Sequence, residues 1–192
     1  GCLEMVYGSE AYPVVISLGQ MSRSISHPLQ IPDHVTLEGI DTSTTVLSAS
    51  GDHRVITGYR LKNGKFKKMA IKDGNESSGG CISFRQSSAE FDNVLISNCN
   101  AFLKGGAIHV SGNDDDGDLI EIKNTVIRGD SAIVGGGIYV ENSDNVLIEG
   151  SILEKNDVND GSIEEINISG YGGALHVKNS TITISNSEFI EN

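Results

Sequence analysis

GGAIHV, at residues 105–110, does not stand alone: GGCISF at 79–84, GGGIYV at 135–140 and GGALHV at 172–177 repeat its pattern. The four phrases start 26, 30 and 37 residues apart. Self-similarity at this spacing is the mark of a repeat architecture, in which each unit cannot bury its apolar side alone. Outward from the phrases lies a second repeated segment of 12 residues. It reads NGKFKKMAIKDG from 63, SAEFDNVLISNC from 88, LIEIKNTVIRGD from 119, NVLIEGSILEKN from 145 and TITISNSEFIEN from 181.

Within each copy of the segment the second and fourth positions are mostly apolar and the ninth is always a large apolar residue: Ile71, Ile96, Ile127, Leu153 and Phe189. Period-two alternation over short β-branched runs predicts strands with one buried face, and no helical spacing intervenes. Each repeat therefore carries about three short strands and no crossover helix. Coiling the chain so that every repeat stacks on the last buries the apolar side. The predicted fold is all-β, a single-stranded right-handed parallel β-helix with rungs about 4.8 Å apart.

The inward ladders are then Ile82, Ile108, Ile138 and Leu175 beside Phe84, Val110, Val140 and Val177. Phe66, Phe91, Ile122, Ile148 and Ile184 line another face. Asn93, Asn124 and Asn186 are expected to stack at a turn, with Gly150 in the same slot, because Asn and Gly tolerate left-handed geometry. Upstream, Val35, Leu37, Val46, Leu47, Val55 and Ile56 continue the alternation as core candidates. Residues 1–27 lack the repeat and are assigned as an N-terminal cap, with the β-helix over 28–192. The final FIEN falls mid-repeat, which predicts a solenoid truncated at its C-terminus.

Composition narrows the function. The chain of 192 residues carries 14 Lys+Arg against 26 Asp+Glu, a formal charge of −12. Proteins that grip phosphate backbones need clustered cations to displace counterions, so a nucleic-acid partner is excluded. No run of apolar residues is long enough for a transmembrane segment. The three cysteines, Cys2, Cys81 and Cys99, lack zinc-site spacing. Cys81 is read as outward-facing on the third strand and Cys99 as lying at a turn near Gly74 and Asp130. Seven residues separate Gly74 from Cys81 along the rung, which argues against a Cys81–Cys99 bridge.

GGAI at 105–108, GGAL at 172–175 and FIEN at 189–192 resemble the GGA[ILV] and FxxN repeats of the polymorphic membrane proteins. The resemblance covers residues 63–192, with GGCI and GGGI in the remaining copies. It implies a β-helical passenger domain, exported by an autotransporter barrel and acting as an outer-membrane or secreted adhesin. The partner implied is a protein or glycan of a host or neighbouring cell.

Outward positions carry the candidate chemistry. One ladder reads Lys67, Asp92, Lys123, Glu149, Ser185, with Lys65 and Glu90 beside it, and is expected to be simple charge pairing. A second ladder, Ser83, His109, Tyr139 and His176, is flanked by the small Cys81, Ala107, Gly137 and Ala174 and is expected to stand out as a ridge. Its rings could face a sugar or a partner protein. Asp114, Asp115, Asp116 and Asp118 form an oxygen-rich loop, and with Glu141 and Asp144 one rung on they make a candidate Ca²⁺ site. The longer fourth repeat predicts a projecting loop over 157–169, with Asp157, Asn159, Glu164 and Glu165 as candidate partner contacts.

No nucleophile, base and orienter assemble in the sequence, so the expected function is a surface binding module of adhesin type, leaning away from catalysis. The alternative is a carbohydrate-active enzyme, a polysaccharide lyase or glycosidase, or its non-catalytic remnant. A further expectation is homo-oligomerisation by end-to-end stacking.

Overall fold

The alternation seen in the sequence becomes a coil of short strands. The structure, a computed structural model, describes residues 8–112, 119–159 and 171–192. Among these it is all-β and contains no helix. The first coil holds β1 (Val14–Gly19), β2 (Met21–Ile25) and β3 (Leu29–Gln30), and the second β4 (Val35–Gly39), β5 (Thr45–Ala49) and β6 (Ile56–Tyr59). The third holds β7 (Gly64–Lys72), β8 (Asn75–Ser78) and β9 (Ile82–Arg85), and the fourth β10 (Ala89–Ser97), β11 (Asn100–Lys104) and β12 (Ile108–Ser111). Then come β13 (Ile120–Lys123), β14 (Val126–Arg128), β15 (Ser131–Ala132) and β16 (Ile138–Glu141). The next coil is β17 (Val146–Glu149), β18 (Ile152–Glu154), β19 (Asp157–Val158) and β20 (Leu175–Lys178), and β21 (Ile182–Ser185) and β22 (Glu188–Ile190) follow.

Every strand pairs in parallel with its counterpart one coil away, giving three stacked sheets. The first is the long one built on β1-β4-β7-β10-β13-β17-β21, the second is β8-β11-β15-β19, and the third is β3-β6-β9-β12-β16-β20. The expected ladders are in register: Ile82, Ile108, Ile138 and Leu175 align, as do Phe66, Phe91, Ile122, Ile148 and Ile184. Phe66, Phe84 and Phe91 stack in the interior with ring centroids 5.1 to 6.1 Å apart. Val46 departs from expectation. Thr45, Leu47 and Ala49 point inward on β5, so the pleat turns Val46 outward.

The segment expected as a cap is itself coiled. β1 pairs with β4 and β2 with β5, both in parallel, so residues from Val14 onward form a rung that covers the next one.

Corners leave backbone N–H groups without sheet partners, and side chains from the next coil supply them. At the seventh segment position, Thr125 Oγ1 accepts from Val94 N, Ser151 Oγ from Thr125 N, and Ser187 Oγ from Ser151 N. At the twelfth, the FxxN slot, Asp130 Oδ1 accepts from Cys99 N, Asn156 Oδ1 from Asp130 N, and Asn192 Oδ1 from Asn156 N. The amides also donate, Asn156 Nδ2 to Ile127 O and Asn192 Nδ2 to Leu153 O. This is the buried polar spine of the repeat. The outer turn at Asn93, Asn124, Gly150 and Asn186 has the expected positive φ, but Asn124 donates to Asp92 and not to a stacked Asn.

Asp130 is the one carboxyl in this spine. It is fully buried, and its Oδ2 has no hydrogen-bond partner. Burial pushes its carboxyl well above the ordinary range, against the pull of the Cys99 N–H. A carboxyl with a raised folded-state pKa binds its proton more tightly in the native chain than in the unfolded one. Its contribution is therefore fully present below the unfolded value of about 4 and is lost as pH rises through the folded pKa. Asp130→Asn supplies a donor where Asn156 and Asn192 have one. It is expected to raise stability at pH 7 by about 1–2 kcal/mol and to flatten this pH dependence. Denaturant unfolding at pH 5 and pH 8 tests it; an unchanged or lower midpoint at pH 8 refutes the assignment.

The cysteine expectation is overturned. Cys81 and Cys99 form a disulfide with Cα atoms 5.4 Å apart. Cys81 is not outward-facing; both residues are buried. The physical reason is that the coil closes: the chain passes along β8, turns at Gly79 and Gly80, and comes back against its own start. A Cβ on Gly74 would lie 2.1 Å from Gly80 O and 2.8 Å from Cys81 Cα. Separation along the rung is thus not distance across it.

Candidate functional site

The same corner explains the rest of the phrase. Gly79, Gly105, Gly135 and Gly172 all have φ between 62° and 68°, and a Cβ on Gly105 would meet Ile108 O at 2.2 Å. Only glycine adopts this conformation freely at such close approach. The small column of Cys81, Ala107, Gly137 and Ala174, expected on the surface, is buried. It faces the polar spine, where a Cβ on Gly137 would stand 3.2 Å from Asn156 Cγ.

The turn carries the chain from the second sheet onto the third and presents two outward columns there. One is Thr57, Ser83, His109, Tyr139 and His176; the other is Tyr59, Arg85, Ser111, Glu141 and Lys178. The ridge residues are therefore stacked as expected, but they do not all stand free. Tyr139 is only 3% exposed. His176 stacks on its ring at 5.1 Å and 4°, His109 tilts against it at 5.6 Å, and Lys104 Nζ sits 4.7 Å from its centroid.

Glu141 organises this cluster. Its carboxylate lies 2.9 Å from Lys104 Nζ and 3.2 Å from His109 Nε2, and it accepts from Tyr139 Oη at 3.2 Å. Burial pushes the Glu141 carboxyl up, but the Lys104 and His109 hydrogen bonds outweigh it and hold the group below its usual range. Burial drives the His109 imidazole down, only partly offset by Glu141. Burial likewise pushes the Tyr139 phenol up. At neutral pH the set is an ammonium, a carboxylate, a neutral imidazole and a neutral phenol. Nε2–H of His109 donates to Glu141, which leaves Nδ1 as a base. Tyr171, 58% exposed, lies 6.3 Å from the His176 ring and extends the aromatic run to the surface.

Of the residues expected to hold calcium, Glu141 and Asp144 are among the described ones. Glu141 is taken by three donors over the third sheet, and Asp144 accepts from Thr181 Oγ1. Asp114, Asp115, Asp116 and Asp118 lie outside the described residues, as do Glu164 and Glu165. Among the described residues no group of three or more His, Cys, Asp or Glu converges on a metal position. Asp157 and Asn159 do not project as a loop. Asp157 belongs to β19, and Asn159 Nδ2 reaches Asn100 Oδ1 along the second sheet. The charge ladder aligns, but its pairing runs through Glu90, which meets both Lys65 at 2.8 Å and Lys67 at 3.1 Å, and through Lys123–Glu121 at 2.6 Å.

Fold and face together define the chain as a right-handed parallel β-helix with an aromatic and ionic strip on its third sheet. No family model and no curated protein matches the sequence. Among solved structures the chain is similar to a pectin methylesterase variant crystallised in complex with a hexasaccharide, with a TM-score of 0.59 and 16% identity. The match covers 98% of this chain and 60% of the other, so the chain spans less than two thirds of that protein's length. At this identity the likeness is one of backbone architecture.

Proposed function

We propose that the chain is a carbohydrate-binding β-helical module of a surface or secreted protein, with the outer face of the third sheet as its binding surface. The observation that carries this is the strip of rings and cations there: Tyr59 and Tyr171 exposed toward its two ends, with Arg85, His109, Lys104 and His176 between them. Exposed aromatic rings flanked by a few fixed polar groups suit sugars, which present apolar ring faces and hydroxyl edges. That a protein of the same architecture holds a hexasaccharide supports the choice of a glycan over a protein partner. The Cys81–Cys99 disulfide fits an oxidising, extracellular setting. The GGA[ILV] and FxxN resemblance fits a passenger domain of adhesin type. In an oligosaccharide panel read by calorimetry, Tyr171→Ala is expected to weaken the best ligand about tenfold or more, because exposed stacking rings dominate such contacts. Failure of the wild-type chain to bind any oligosaccharide at millimolar concentration would refute the reading.

A catalytic version of the same reading rests on the His109–Glu141 pair. A carboxylate that fixes one tautomer of a neutral imidazole is the base-and-orienter half of a nucleophilic site, and Ser83 stands one rung below in the same column. Ester hydrolysis by the wild-type chain, lost in Ser83→Ala and reduced with an altered pH profile in Glu141→Gln, would carry it. A wild-type rate no faster than buffer leaves binding alone.

A further inference from the structure

Three coils below Glu141, in the same outward column as that residue, the strip ends in a different arrangement. Tyr59 is 61% exposed, and two guanidinium groups converge on its ring. Arg60 Cζ is 5.3 Å and Arg85 Cζ 5.7 Å from the centroid. Arg60 Nε also donates to Gln86 Oε1 at 3.2 Å, which fixes the first of these forks. In a chain with 26 acidic residues against 14 basic ones, neither arginine meets a carboxylate among the described residues. Of the other three arginines, Arg54 pairs with Glu76 and Arg128 with Glu154.

The backbone beneath them is unusual as well. Arg60 and Gln86 have φ of 55° and 51°, at the turn where two higher coils place Asn142 and Asn179. Asn tolerates left-handed geometry through its own short amide, whereas a long side chain there is strained. Two like charges held over one ring, one of them on left-handed backbone and neither paired with a carboxylate among the described residues, repel each other unless an anion lies between them. Each guanidinium offers a planar donor fork that matches a carboxylate.

We propose that Tyr59, Arg60 and Arg85 form a subsite for the carboxylate of an acidic sugar, so that the glycan bound along the third sheet is a uronate-bearing one. The ring holds the two forks in place, which lowers the ordering cost of binding. Three rungs separate Tyr59 from Glu141, about 14 Å along the axis at the strand spacing, so one extended chain lying on the face reaches Lys104 and Lys178 as well. Sparse carboxylates suit this surface. A densely charged polyanion such as nucleic acid is repelled by the chain's net charge of −12.

This inference rests on the glycan-binding reading, and one experiment separates the two. Calorimetry of the whole chain with a tetramer of galacturonic acid, and with the same tetramer methyl-esterified, compares a charged with a neutral ligand on the same sugar frame. The acid form is expected to bind at least tenfold more tightly, and the difference to shrink between 50 and 300 mM salt. Arg85→Ala, an exposed position whose loss leaves the fold intact, is expected to abolish that preference. Tyr171→Ala is expected to weaken both ligands. Equal binding of the two forms, or a preference that survives Arg85→Ala, overturns the subsite and leaves the glycan reading in place. No binding of either overturns both.

Discussion

Phe91→Ala is expected to lower the stability of the chain by about 3–5 kcal/mol, the range for truncating a fully buried aromatic in a core that cannot collapse around the gap. Phe91 has no exposed surface; it stacks on Phe66, at 5.1 Å, and tilts against Phe84, at 5.9 Å. Those neighbours belong to the first and third sheets, so the ring ties two walls of the coil together. The parallel ladders above and below hold its surroundings in register and limit relaxation. Phe189, on the last coil, is 44% exposed, and Phe189→Ala is expected to cost well under half as much. Denaturant midpoints of the two variants check the contrast. Equal losses would mean that the interior near Phe91 is not the dry, close-packed centre described above.

The second large effect concerns the bridge between coils. Cys81 and Cys99 are 18 residues apart, and a cross-link closing a loop of that size is worth about 3 kcal/mol in the chain-entropy account. The double variant Cys81→Ala, Cys99→Ala is expected to lose about that amount. Its small side chains fit, since Ala107 and Ala174 fill the equivalent position higher up. Adding a thiol reductant is expected to shift the wild-type midpoint toward that of the double variant while leaving the variant unmoved. A reductant effect of the same size on both proteins would mean that the bridge does not contribute to stability.

What could be read in the sequence was whatever the repeat itself encodes. Phrase and segment fix the register, because a slip of one residue would turn every buried Ile and Phe outward. The ladders through Ile108, Phe91 and Ile127 therefore followed from alignment alone. The bridge did not, because closure of a coil brings Gly74 against Gly80 while the sequence shows only their separation. The Lys104–Glu141 contact escaped for a related reason. Its partners lie on neighbouring coils, on either side of the GG corner, 37 residues apart. A signal was present: Lys104 directly precedes one GG phrase and Glu141 directly follows the next. Equally, the Asn that matters most lies at the end of the segment, in Asn156 and Asn192, and not in the outer turn at Asn93 and Asn124.

One feature of the second sheet bears on how such a protein can be altered. Asn159 N bonds Ala132 O, and Tyr171 bridges Val134, so two points almost touching on the coil below are matched by residues 12 positions apart above. The strands on either side, β19 and β20, keep their partners β15 and β16. A wall that spans 12 positions where the coil below uses two is a natural place to splice in a foreign peptide, an epitope or a recognition tag, and a chain of this kind becomes a ready scaffold for display.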